Sequence, residues 1–378
     1  MAPEPMSQAE LDRRKIVGVN AETVTNVTST DFPGHYPGED HQWSLKKFSD
    51  NFRVEFYKND PYESSFSLIG IDASLANAFR RILIAEIPTL AIEFVFVHNN
   101  TSIVQDEVLA HRLGLVPLTG NLRGLNWLKW FQKPTDEDPE GSAPSDFNTV
   151  VLKMEVECTW ADGYMEMLKR GEDDPAKLYK NAHVYARDIK FDAKGRQTQF
   201  FSEPDGSIRP VNPDILLAKM RPGQMIDIEM HCIKGIGADH AKFSPVATAS
   251  YRLLPTITIT KAILGTDAKK FARCFPRGVI GLEEVTEEDA AVDGSGYEGH
   301  VGEKKAVVKN AFKDTVSREC LRHDEFNGKV KLGRVRDHFI FSIESTGQFE
   351  SGLLFLESIK VLKAKCTRLK RSLDNIMR

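Results

Sequence analysis

Close pairs of cysteine are missing from this chain of 378 residues: Cys158, Cys232, Cys274, Cys320 and Cys366 stand alone, with no CxxC. A zinc ribbon therefore has no ligand framework. An odd, scattered set also suits a reducing compartment better than a disulfide scaffold. Long apolar runs are missing as well. The most apolar stretch, residues 82–97, is interrupted by Glu86, Pro88 and Glu93 and cannot cross a bilayer cheaply. The N-terminus has no apolar signal core, so the sequons at Asn26 and Asn99 carry little weight and an intracellular protein is expected. Nor is there an excess of positive charge: a net −4 and a pI near 6.2 exclude a general polyanion-binding surface, local patches apart.

Catalytic signatures are also lacking. The chain has no GxxxxGK[ST] phosphate loop, no GxGxxG after a strand, no GxSxG elbow and no HExxH. His183, His231 and His240 have no pair at helical ligand spacing, so surface or satisfied core histidines are expected rather than a metal site. The carboxylates gather in acidic loops, where a dry pocket and a raised pKa are not expected. His111-Arg112 and His323-Asp324 read as solvated charge. No catalytic residue, cofactor or metal ligand is assigned.

What is present is a globular composition, 41% hydrophobic and 28% charged, long enough for two or three domains. Residues 1–48 are polar and broken by Pro33-Gly34 and Pro37-Gly38; they read as an extended arm or, in the first half, a disordered tail. Alternation at Phe52, Val54 and Phe56, and again at Phe66, Leu68 and Gly70 after a turn at Asn59-Asp60-Pro61, predicts two strands. Then the period changes. Leu75, Phe79, Ile82, Leu83 and Ile87 share one helical face, with Asp72 or Ser74 to cap the helix and Pro88 to stop it. Residues 90–97 predict a strand, Asn99-Asn100 a turn, and residues 105–113 a short helix. Further strands are expected at 150–156, 225–232, 257–259 and 339–343. The loops 133–146 and 278–303 are acidic and glycine- or proline-rich and are expected to be exposed and mobile; the second has eight carboxylates and no Lys or Arg.

The last segment is the clearest. Phe355, Ile359, Leu362, Cys366, Leu369, Leu373 and Ile376 fall at alternating steps of four and three, a heptad seam. Its other faces carry Lys360, Lys363, Lys365, Arg368, Lys370 and Arg371. A helix of about 25 residues is roughly 38 Å long, which is long for packing inside one small domain. It reads either as a helix that meets a partner or as a core helix with a basic solvent face.

Residues 74–88, Ser-Leu-Ala-Asn-Ala-Phe-Arg-Arg-Ile-Leu-Ile-Ala-Glu-Ile-Pro, resemble the N-terminal motif of RNA polymerase α subunits and their archaeal and eukaryotic α-like relatives. Residues 108–117, residues 240–252 and the strand-to-helix end of the chain agree in the same order, so the resemblance covers most of residues 50–378. Residues 118–157 contain no cysteine, unlike the zinc loop of the RNA polymerase II relative. The runs 30–38 and 314–319 resemble the larger α-like branch of polymerases I and III. Archaeal relatives can hold an iron–sulfur cluster in a ferredoxin-like inset; only Cys274 and Cys320 fall in that region, too few for four ligands.

The resemblance implies an α+β fold with a discontinuous dimerisation domain at 49–88 and 253–378, an inserted, mainly β domain at 89–252 and a degenerate ferredoxin-like inset at 262–335. It implies a non-catalytic scaffold that pairs with a small α-like subunit through Leu75, Phe79, Ile82, Leu83 and the seven seam residues from Phe355 to Ile376. Arg80 and Arg81 would meet the second-largest catalytic subunit, Arg being suited to bidentate contacts with carboxylates. Small zinc-binding polymerase subunits would be further partners, DNA would be met only through the assembled complex, and no membrane is involved. Location in the nucleus, both nucleolus and nucleoplasm, and support of rRNA, 5S rRNA and tRNA transcription follow. Three rivals stay open: an RNA polymerase II-type subunit, a basic-helix nucleic-acid-binding protein, and a hydrolase using His231 and His240.

Overall fold

A computed structural model of the chain describes residues 7–27, 42–133, 141–201 and 207–377. The run 30–38 and residues 134–140 of the first acidic loop lie outside the described residues. After a helix at Gln8–Lys15 come β1 (Ile16–Val19), β2 (Val24–Thr25), β3 (Arg53–Asn59), β4 (Glu63–Ile69), α1 (Ala73–Ala85), β5 (Thr89–Asn100), α2 (Asp106–Gly114), β6 (Val150–Glu157) and β7 (Lys190–Asp192). Then follow β8 (Met225–Gly235), β9 (Val246–Ile259), α3 (Gly265–Arg273), β10 (Ile280–Glu284), β11 (Lys304–Val308), β12 (Val330–Ser345) and α4 (Ser351–Ile376).

The chain divides into two compact units, and several elements pass from one to the other: Met1–Phe56, Phe66–Ala76 and Tyr251–Phe341 form the first, and Tyr57–Ser65, Asn77–Ser250 and Ser342–Arg378 the second. The architecture is mixed α and β, with open sheets.

The first unit centres on an open sheet in the order β2-β1-β12-β4-β3, with β9 also pairing to β12. Phe66, Phe339 and Phe341 are buried on it, with Phe66 and Phe341 stacked at 5.5 Å. β3 is an edge strand and every one of its residues is exposed. The alternation at Val54 and Phe56 is therefore that of a strand whose residues all stay exposed, although the Phe56 ring lies 5.0 Å from that of Phe66. A second core gathers Ile263, Phe271, Val279, Ala306, Cys320 and Phe326 around α3 and the β10–β11 ladder. The acidic segment 278–303 differs from expectation here. Ile280 to Glu284 pair with Val308 to Lys304, and Thr286 and Asp289 cap a short helix as a reciprocal box. Asp289 also pairs with Lys305, which lies just beyond the segment. Outside cations and capping replace the apolar burial that the segment lacks.

The second unit is built on an antiparallel sheet in the order β7-β6-β8-β5. β8 is central and alternates buried and half-buried residues along most of its length. The Asn99-Asn100 turn is a correction: both residues continue β5, opposite Asp227 and Ile226, and the chain turns only after them. Met225 N–H donates to the Thr101 hydroxyl at 2.8 Å, which holds the strand end closed.

Asp72 begins α1. Its carbonyl accepts from the N–H groups of Leu75 and Ala76, and its carboxylate accepts from the N–H of Ser74 at 2.8 Å. Hydrogen bonding from Ser74 holds the Asp72 carboxyl below its usual value. Asp72→Ala is expected to cost about 1 kcal/mol at neutral pH. Because the folded-state pKa is depressed, that contribution is whole above the unfolded value of 3.8 and disappears as pH falls through the folded one. Denaturation of wild type and variant across that range checks this: the two curves converge in acid.

Candidate functional site

Two helices in the second unit carry the residues expected at a partner surface. Within that unit, Phe79 of α1 meets Phe355 of α4 edge-on at 5.4 Å. Glu86, just past the end of α1, accepts from Lys365 at 2.7 and 2.8 Å. Both contacts advance together along the two sequences, so the helices run side by side in the same direction. α1 stops at Ala85. Ala238 donates its N–H to the Ala85 carbonyl at 2.9 Å, and Gly237 lies so close to the Ile84 carbonyl that a Cβ would collide with it.

The start of α4 is pinned elsewhere. Ser351 N–H donates to the Pro61 carbonyl at 2.9 Å, its hydroxyl donates to the Asp60 carbonyl at 2.6 Å, and the buried Ser64 hydroxyl lies 2.6 Å away. Ser351, Leu354, Phe355 and Ser358 are buried. Beyond Lys365 the helix continues for eleven residues, about 16 Å at 1.5 Å per residue. It does so with every described side chain exposed.

The expected interface residues separate accordingly. Ile82, Leu83 and Phe355 belong to the chain's own core and present no surface to a partner. Their placement corrects the expectation: an apolar stripe shows which face is buried, not by what. Phe79 and Leu362 are half-buried, and Leu75, in the first unit, is exposed. Ile359 is 40% exposed, Leu369 63%, Leu373 51% and Ile376 80%, with Cys366 exposed among them. Leu356, also exposed, was not singled out from the sequence. It stands three positions before Ile359, inside an unbroken Leu-Leu-Phe-Leu run where periodicity cannot choose a face. Arg80 spends its guanidinium on Asn77 Oδ1, at 3.1 Å from Nε and 2.9 Å from Nη2, whereas Arg81 is exposed. Of the cations on the other faces, Lys365 turns inward to Glu86.

The histidines have local roles. His240 Nδ1 accepts the Lys242 N–H at 3.1 Å, and His231 lies 3.1 Å from Glu229 Oε1 and against the Phe96 ring. Among the described residues no group of three or more His, Cys, Asp or Glu is gathered as a metal set. No described helix is long and apolar enough to cross a membrane. In the first unit, the run 314–319 is held by Arg252, which donates to the carbonyls of Phe312 and Asp314 at 2.7 and 3.1 Å. Burial lifts the Asp314 carboxyl above its ordinary value, against the pull of the Val316 and Thr315 N–H groups, Arg252 and Arg334. Val316 has φ +64°, a conformation costly for a β-branched residue.

Residues 65–366 match the RNA polymerase Rpb3/Rpb11 dimerisation domain. The chain belongs to that family. It is 49% identical over 355 residues to the DNA-directed RNA polymerases I and III subunit RPAC1 of Saccharomyces cerevisiae, covering 94% of this chain and 97% of that one. The protein of the same name from Homo sapiens is 46% identical over 370 residues, 98% of each chain. Subunit 3 of DNA-directed RNA polymerases II, IV and V from Arabidopsis thaliana is 30% identical over 321 residues, 83% of this chain and 88% of that one.

In this family member the cysteines give a direct probe of the α4 surface. Cys158, Cys232, Cys274 and Cys320 are buried and Cys366 is exposed. Burial raises the Cys320 thiol to about 12 and pushes the Cys232 thiol up as well. Brief alkylation of the native chain is expected to modify Cys366 alone, and mass spectrometry of the digest reads the sites. Modification of the other four should appear only with denaturant.

Proposed function

We propose that the chain is a non-catalytic assembly subunit of DNA-directed RNA polymerases I and III, acting as a heterodimer with a small α-like subunit. The observation that carries this reading is the strip Leu356, Ile359, Cys366, Leu369, Leu373 and Ile376, left in water on a helix whose first turns are anchored. Burying each large apolar member against a partner would contribute roughly 1.5–3 kcal/mol. Phe79 and Leu362 are assigned to the edge of the same contact, and Leu75, in the first unit, to a partner surface of its own. The relatives named for polymerases I and III match nearly end to end, which favours this branch over the RNA polymerase II type.

In this reading residues 49–88 and 253–378 make the dimerisation domain, 89–252 the insert, 262–335 a degenerate ferredoxin-like inset and 1–48 an arm. The pair would then take up the second-largest catalytic subunit and small zinc-binding subunits in the nucleus. Its products would be the nucleolar polymerase that makes rRNA and the nucleoplasmic one that makes 5S rRNA and tRNA. Arg81, exposed beside the stripe, is assigned to the large-subunit contact, with Arg80 held in line by Asn77.

Purification of the tagged chain from cells is expected to recover the cores of both polymerases; recovery of the polymerase II core instead would select the other branch. Leu369→Ala with Leu373→Ala should cost about 2–5 kcal/mol per site if these leucines are packed in the interface. That loss should abolish the heterodimer while circular dichroism still reports folded protein. Cys366, reactive in the free chain, should be protected in the wild-type complex. Unimpaired dimerisation of the double variant would end the assignment of α4 as the shared surface. Arg81→Ala should leave the heterodimer whole and weaken capture of the second-largest subunit by on the order of 2–5 kcal/mol. A pull-down titration reads the difference.

A further inference from the structure

We propose that the flanks of the α4 overhang select a partner helix with acidic flanks and reject a second copy of this chain. The proposal rests on the heterodimer reading and specifies the chemistry of the partner. From Lys360 to Met377 the helix carries six cations and one carboxylate, Asp374. Two of the cations are already spent: Lys360 on Glu357 at 2.6 Å and Lys365 on Glu86. Lys363, Arg368, Lys370 and Arg371 have no carboxylate partner among the described residues.

Their positions matter more than their number. With Ile359, Cys366 and Leu373 as one line of the seam and Leu362, Leu369 and Ile376 as the other, Lys363 and Lys370 stand directly beside the second line. Lys365 stands beside the first, flanked along the helix by Ser358 and Ser372. In paired helices these are the positions whose side chains reach across to the partner and set its identity. Two copies of α4 side by side in the same direction would bring Lys370 to Lys365, whose charge Glu86 already meets at 2.7 Å, so the repulsion there is partial. Antiparallel, they would bring Lys363 to Lys370. Both arrangements juxtapose like charges within a Debye length of about 8 Å at physiological salt. Acidic residues at the partner's flanking positions turn each of these repulsions into attraction, so the same lysines act as attraction for one helix and exclusion for another. Nucleic acid suits the surface less well. The cations border an exposed leucine strip, and Phe355 is the chain's last aromatic residue, so nothing on the overhang stacks with bases.

Two synthetic helical peptides test this, sharing one leucine seam but bearing Glu or Lys at all flanking positions. They are titrated against the full-length chain by fluorescence anisotropy. The Glu-flanked peptide is expected to bind at least about tenfold more tightly at physiological salt. The ratio should fall toward one at about 1 M salt, where the Debye length is about 3 Å. Lys363→Glu with Lys370→Glu, both exposed and checked for helicity by circular dichroism, should invert the preference. Equal binding of the two peptides overturns the charge rule and leaves the heterodimer reading standing. Binding of neither overturns both. Displacement of the Glu-flanked peptide by mixed-sequence duplex DNA would make the overhang a nucleic-acid surface and also overturn the rule. A second measurement needs no peptide: differently tagged wild-type and charge-reversed chains are co-expressed and captured. Wild type should pair with the variant about tenfold more than with itself, and equal self-pairing of wild type sinks the proposal.

Discussion

The anchoring of the first two turns of α4 is the constraint on which the candidate surface depends. Phe355 is held against Phe79, and Ser351 is tied by backbone and hydroxyl to Pro61 and Asp60. These contacts are buried and polar–apolar mixed, so they fix both the position of the helix start and its direction. A stiff helix fixed at one end must project at the other. Glu86 and Lys365 form a contact just before the overhang, and Pro88 keeps α1 from extending to cover more of it. Exposure of Leu369, Leu373 and Ile376 therefore follows from where α1 ends.

The elements themselves were largely legible in the residues. The change from period two to period 3.6 after Gly70 marks the passage from β4 to α1. The four-and-three spacing from Phe355 onward marks α4, and the strand-like runs at 150–156 and 225–232 mark β6 and β8. The sequence left the cap between Asp72 and Ser74, and the Asp72 carboxylate is the group that accepts, from the Ser74 N–H. The motif at 74–88 carried the family, and the match of residues 65–366 agrees with it.

What was not legible was depth. Periodicity identifies the apolar side of a helix, but the same stripe serves a core and an interface. Ile82 and Leu83 lie in the chain's own core, while Leu369 and Leu373, also apolar residues on a helical stripe, lie in water. The difference is set by which neighbour happens to be present at that height, which is a tertiary fact. β3 shows the converse: Val54 and Phe56 alternate as if over a core, yet the strand is at an edge. The acidic segment at 278–303 misled for a third reason. Its net charge suggested a solvated loop, but Lys305 and a reciprocal cap supply from outside and from the backbone what its composition withholds.

The two halves of α4 solve opposite problems with one continuous helix. Near Ser351 the helix needs a unique seat, and small buried hydroxyls and one aromatic contact give it one. Past Lys365 every described side chain lies in water, apolar and charged alike. Leucine strips exposed in water favour any apolar surface, including another copy, because the hydrophobic effect has no direction. In the proposed contact, charge at the margins is a discriminating term, since it costs little while solvated and is felt within about a Debye length. In the proposed heterodimer, the cations along the overhang, with Lys365 paired inward to Glu86, would separate the anchored half of the helix from the half that selects a partner.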